Sequence, residues 1–327
     1  MAVGQGWKSW ASLKKEVTYG TDPGGARDGY FRIVPPDSIS VDKSYYQSPG
    51  AGTLVVRGLH EGVFVCGGDI QAEGNFEGGH LHLLRAGLGG YTFTGSNPVA
   101  GMSQHQFDAS TGEFFYSLEL SRGDIPANDI FLYTGTMVDV MEFGLQQDQL
   151  LGVKATVICR DETPDLARVA APTYPAELPV KNVYYNPTYA TQLAIAVGSN
   201  ITTLQQGTIR VSNRLERRPN LGKFTAQPIR SNQRECVAEL SADFEDLTHY
   251  NKFLAETEGA FSLKLTGPIA TGASRFDILF ASTTSHMTGG TPPIENMGLL
   301  RAPINLQFIK DAIEFTVTIH NTQNVTL

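Results

Sequence analysis

Across 327 residues the chain has no run approaching the roughly 20 consecutive apolar residues of a membrane-spanning helix, so no membrane partner is expected. The opening residues Met1 to Lys8 lack the apolar stretch of a secretory signal. Cysteine is scarce as well. Cys66, Cys159 and Cys236 are an odd number at unrelated spacings, outside any paired zinc pattern, and read as small buried residues of a protein made in a reducing cytosol. Disorder of the whole chain is excluded by 41% hydrophobic and 18% charged residues.

Catalytic signatures are missing too. There is no Gly-Lys-Ser/Thr phosphate loop, no nucleophile elbow and no His-Glu-x-x-His, and Gly87-Leu88-Gly89-Gly90 stops short of a dinucleotide fingerprint. His80-Leu81-His82 is the closest approach to a metal site. Residues two apart on a helix point to different faces, so these are expected to be surface or helix-end histidines, with no metal. Glu256 and Glu258 have the same spacing and read as solvated. The sequence therefore predicts neither an enzyme nor a bound cofactor.

What is present is a unit that occurs twice: a strand ending in Phe-Glu, one helical segment, a glycine and a new strand. The first copy runs from Asp69 through Phe76-Glu77 to Gly90, and the second from Cys236 through Phe244-Glu245 to Gly259. Leu81, Leu84 and Leu88 form one helical stripe, and Leu247, Tyr250, Phe253 and Leu254 the other. Alternating or β-branched runs predict strands at 38–41, 54–56, 63–66, 114–120, 131–133, 136–143 and 152–160, then at 208–212, 236–244, 261–265, 275–280, 302–309 and 312–320. The fold class expected is mainly β, two tandem β-sandwich or half-barrel modules with one short helix each. The opening strand 38–41 matches 208–211, and the closing strand 152–160 matches 312–320.

Pro172, Pro175, Pro179 and Pro187 follow Asp161-Glu162-Thr163-Pro164, which sets the expected boundaries at 1–160 for the first module, 161–190 for a linker and 191–327 for the second module. In each half a long excursion, 44–62 or 213–233, separates the opening strand from the Phe-Glu strand, and each is expected to be an arm reaching a neighbouring subunit. Net charge is −8. Residues 210–234 carry seven basic residues against Glu216, so an acidic body bears one basic arm. Arg214, Arg217, Arg218, Arg230 and Arg234 are the expected contacts between stacked assemblies. Phe76 and Phe244 are expected core anchors where the helices start. Glu77 and Glu245 are expected in the first helical turn, where a carboxylate is favoured.

Glu16-Val17-Thr18-Tyr19-Gly20-Thr21, the Phe-Glu strand leading to Leu81 through Gly89, and Ile209-Arg210-Val211-Ser212-Asn213-Arg214-Leu215-Glu216, in that order, resemble the tail tube (major tail) proteins of tailed bacteriophages. The resemblance implies a virion structural protein, assembled in the host cytoplasm and located in the virion tail. It implies homo-oligomeric rings stacked into a hollow tube, through which DNA passes without specific binding. Tape measure, terminator and distal tail proteins are the implied partners. Most such proteins carry one tube module and form hexamers. By analogy, two modules per chain imply a trimeric ring with pseudo-sixfold symmetry. The alternatives are a tail terminator or capsid decoration, a tandem β-sandwich adhesin or carbohydrate-binding module using Tyr45-Tyr46 or Tyr184-Tyr185, and an enzyme of unrecognised type.

Overall fold

The structure, a computed structural model, describes residues 9–48, 58–109, 112, 114–122, 130–146, 149–166, 193–195, 199–201, 204–219, 225–244, 247–256, 258–289, 301–309, 315–324 and 326–327. The first half contains β1 (Trp10–Lys15), β2 (Gly29–Arg32), β3 (Ser40–Ser48), β4 (Gly58–Glu73), α1 (Gly79–Leu88), β5 (Gly90–Gly95), β6 (Ser103–Asp108), β7 (Tyr116–Ser121), β8 (Ile130–Gln146), β9 (Gly152–Cys159) and β10 (Asp161–Leu166). The second contains β11 (Leu193–Ile195), β12 (Ser199–Ile201), β13 (Leu204–Ser212), β14 (Leu215–Pro219), β15 (Thr225–Arg230), β16 (Glu235–Asp243), α2 (Thr248–Leu254), β17 (Gly259–Thr271), β18 (Ser274–Gly289), β19 (Arg301–Phe308) and β20 (Thr316–Asn321).

The protein is mainly β, and among the described residues every strand pairing is antiparallel. Alternation in the sequence becomes alternation in burial. Val153, Ala155 and Val157 point inward along β9, as do Cys236, Ala238, Leu240 and Ala242 along β16. In the first half the strands lie in the order β3-β4-β9-β8, and in the second in the order β13-β16-β19-β18.

The registers of these ladders correspond residue by residue. Val41 faces Cys66 and Val211 faces Cys236, a displacement of 170 residues in both strands. Gly67 faces Ile158 and Val237 faces Gln307, so the third strand is displaced by 149. Between β8 and β9 the register slips between Val138 and Val140. Between β18 and β19 it slips between Met287 and Gly289, again 149 residues on. A further slip separates Tyr116↔Thr136 from Leu118↔Tyr133, and its counterpart separates Gly259↔Ser285 from Phe261↔Ser282. Bulges kink and twist a strand locally, so matching bulges give the two halves the same bends.

Three expectations need correction. The strand in the position of β9 is β19, at 301–308, and not 312–320, because β19 is the one paired with β16. The Val/Thr run at 316–321 is β20, which pairs with β18 and β6 instead. The segment expected to open the linker forms β10 against β8; Pro164 is accommodated in a register shift between Thr163 and Leu166. The separate strands at 131–133 and 136–143 are one strand, β8, which pairs with β7 at its start and with β13 at its end. The strand expected at 54–56 and the prolines from Pro172 to Pro187 lie outside the described residues.

The two halves share one core. Phe143 of β8 meets Phe280 of β18 with ring centroids 5.0 Å apart. The aromatic row continues through Phe315, Phe308 and Phe261. Phe76 is fully buried and packs on Phe276 of the second half at 5.7 Å. The three cysteines are free and buried, and the Cys66 thiol is pushed up by its hydrogen bond to Cys159 and by burial.

Candidate assembly interface

The halves meet edge to edge where β8 pairs with β13, from Val140↔Ser212 to Gln146↔Gln206. Met141, Phe143, Ile209 and Val211 are fully buried along this seam, while Arg210 Nε lies 3.5 Å from Glu142 Oε1 near the surface. A second seam joins β6 to β20, from Asp108↔Thr316 to Ser103↔Asn321.

At the end of the first seam the backbone of Asn213 donates to the Asp139 carbonyl, the residue left over by the β8 bulge, at 2.7 Å. The Asn213 side-chain amide donates to the carbonyls of Gly87 and Val138, both at 2.8 Å. Arg234 Nε donates to Asn213 Oδ1 at 2.7 Å, and its Nη1 to the Leu88 carbonyl at 3.0 Å. The last carbonyls of a helix have no partner within the helix. Here the second half supplies partners for those of α1.

The chain then turns through Arg214, at φ 54°, into the hairpin β14–β15, which lies over the first half. The Leu215 amide donates to Asp139 Oδ1 at 2.7 Å, and Tyr19 donates its hydroxyl to the Ala226 carbonyl at 3.4 Å. The five arginines divide accordingly. Arg214 and Arg218 are exposed, with Arg214 paired to Glu235. Arg217 is half-buried with its guanidinium against Gly67, Arg230 lines a small cavity with Ala86 and Met137, and Arg234 is held as described. That the second excursion folds onto its own first half was not readable from spacing.

The Glu16 to Thr21 segment is a stapled loop. The Glu16 carboxylate accepts from Gly20 N at 2.7 Å, Ser117 Oγ at 2.7 Å and Gly135 N at 2.9 Å. Gly20 has φ +72°, and a Cβ there would sit 2.1 Å from Arg160 Cδ, so only glycine fits. Beside it Arg27, with a side chain 2% exposed, binds Asp22 and Glu119. Glu77 precedes α1 and accepts from the Thr322 amide at 3.0 Å, rather than standing in the first helical turn. Phe244 is half-buried, and Glu245 lies outside the described residues. Of the tyrosines considered for ligand binding, Tyr45 is exposed; Tyr184-Tyr185 and the Tyr46 side chain lie outside the described residues.

His80 and His82 stand in the first turn of α1, and both are buried rather than at the surface, because α1 is enclosed by β1, β2, β6 and β8. Both His80 ring nitrogens are without a hydrogen-bond partner among the described residues, and burial lowers its pKa to about 4. A depressed histidine adds stability that is full above its unfolded value near 6.5 and lost as pH falls toward 4. His80→Phe is therefore expected to remove about 3 kcal/mol of the stability lost between pH 6.5 and 4, as read from urea unfolding at several pH values. An unchanged acid limb would show that His80 is not neutral in the folded chain.

A family model described as phage tail tube protein matches residues 6–308. The chain belongs to this family. No curated protein matches it. This tail tube protein is a structural protein of the virion tail, and its family implies assembly into a tube with other tail proteins.

Proposed function

We propose that this tail tube protein consists of two copies of one tube module, and that three chains close a pseudo-sixfold ring that stacks into a hollow tube for genome passage. The observation that carries this reading is the recurrence of the ladders at fixed displacements, both bulges included. The proposed modules are 1–160 and 191–327 with a linker at 161–190, β10 extending the first module into that stretch. Six modules in three chains close a cyclic assembly with alternating inner and outer junctions. The acidic body of the chain suits a lumen through which DNA slides without sticking.

Stacking of one ring on the next is assigned to the basic hairpin. Arg214 and Arg218 reach an acidic face of the adjacent ring, while Arg217, Arg230 and Arg234 hold the hairpin in place. Negative-stain microscopy tests this reading. The wild-type chain should give rings and tubes, and Arg214→Glu with Arg218→Glu should leave rings but shorten the tubes several-fold. Tubes of unchanged length and yield would remove the arginines from the stacking contact.

A further inference from the structure

Cys66 and Cys159 stand directly opposite each other in the β4–β9 ladder. Opposite residues of an antiparallel pair project from the same face with Cα atoms about 4.5 to 5.5 Å apart, inside the range that a disulfide spans. Both side chains are fully buried, and their thiols share a hydrogen bond. Cys236 is the counterpart of Cys66, displaced by 170 residues, but the counterpart of Cys159, displaced by 149, is Phe308. The recurring ladder therefore carries a cysteine pair in the first half alone.

The pair occupies the last rung before the strands part. At Cys66, β4 lies between Val41 of β3 and Cys159 of β9. From Val65 to Gly58 it pairs with β3 alone among the described residues, as an arm. β9 ends at Cys159, and the chain leaves toward β10, with the Arg160 amide donating to the Thr134 carbonyl at 2.9 Å. A ladder opens first at such an end. The surroundings slow oxidation, since the thiolate is the reacting form. The shared hydrogen bond, burial and the Glu162 carboxylate keep the proton on Cys66, against the pull of the Arg217 guanidinium.

We propose that Cys66 and Cys159 are a latent disulfide site, reduced while the chain is assembled in a reducing compartment and closed by a peroxide once the particle meets oxidising surroundings. Two thiols and one hydrogen peroxide give one disulfide and two waters. One sulfur attacks a peroxide oxygen, the O–O bond breaks, and water leaves with the thiol proton, so that a sulfenic acid remains. The second sulfur attacks it, the S–S bond forms, and the sulfenic hydroxyl leaves as water with the second proton. Peroxide is small enough to enter when the last rung opens, and joining two sulfurs that already hydrogen bond needs little backbone movement. The bond clamps the foot of the β3–β4 arm to the sheet. Cys236, with Phe308 at the place of a partner, stays a thiol. The inference rests on the tail reading only for where the peroxide is met.

Thiol counting on the full chain tests it. The native chain is reduced, held in dilute hydrogen peroxide, then unfolded and alkylated. Alkylated thiols should fall from three to one, Cys236, with a Cys66–Cys159 peptide pair in the mass map, and a dithiol should restore all three. The melting temperature should rise by about 5 °C or more in the oxidised chain, because the bond closes a long loop. Cys236→Ala should bridge like the parent, and Cys159→Ala should lose both the bridge and the shift. The wild-type count decides even where a variant fails to fold. Three thiols persisting after days in peroxide, sulfinic or sulfonic acid at Cys66 or Cys159 in place of a bridge, or bridges through Cys236 would overturn the site and leave the tube reading standing. A chain that bridges but forms no rings would overturn the tube reading alone.

Discussion

Arg27→Ala is expected to lower stability by about 3 to 5 kcal/mol, because it strips the partner from a buried charge. The Arg27 guanidinium donates to Asp22 Oδ1 at 2.6 Å and also to Glu119, whose side chain is 5% exposed and whose other oxygen accepts from Ser12 Oγ at 3.0 Å. Without Arg27, Glu119 retains one hydroxyl donor and no compensating charge. Burial works to raise the Asp22 carboxyl, but the hydrogen bonds and charge of Arg27 hold it below the usual carboxylate range. A depressed carboxylate contributes stability that is present above its unfolded value, near 3.8, and lost as pH falls. The gap between wild type and Arg27→Ala should accordingly narrow below about pH 4. Urea unfolding at pH 7 and pH 3 measures both quantities, and a loss under about 1 kcal/mol at pH 7 would mean that the pair behaves as a surface salt bridge.

Phe280→Ala should cost a similar amount, about 3 to 5 kcal/mol, through the cavity left in a packed aromatic row. Its location gives the effect a particular form. Phe280 is fully buried between Phe143 of the first half and Phe315 of the second, and both seams cross between the halves nearby. Calorimetry is therefore expected to show one transition for the whole chain, moved to lower temperature in the variant. Two peaks, of which only the later moves, would mean that the halves unfold separately and that the shared core is not energetically shared.

The strands were legible because period-two alternation in segments such as 152–160 and 236–244 translates directly into one buried face. The leucine stripe of α1 was legible for the same reason, and all of Leu81, Leu84 and Leu88 are buried. Pairing was harder to read. Residues 152–160 and 312–320 share Val/Thr composition, yet it is Arg301–Phe308 that takes the place of β9, since register is fixed across strands far apart in sequence. Proline content concealed β10, where a local rule gave way to a bulged ladder. The histidines stand at a helix end, one of the two places expected for them, but their burial is not legible, because periodicity describes one helix whereas burial of His80 depends on how many elements surround α1. The length of the second excursion, 213–233, is legible in the sequence, but its landing place is not, because Asn213 and Arg234 act on carbonyls of α1 more than 120 residues earlier.

The stoichiometry of the isolated ring tests the central claim most directly. Native mass spectrometry of rings dissociated from tubes, supported by sedimentation, should give three chains of 35.5 kDa per ring and sixfold features in projection. Six chains per ring would contradict the account, since only one half of each chain would then belong to the tube wall.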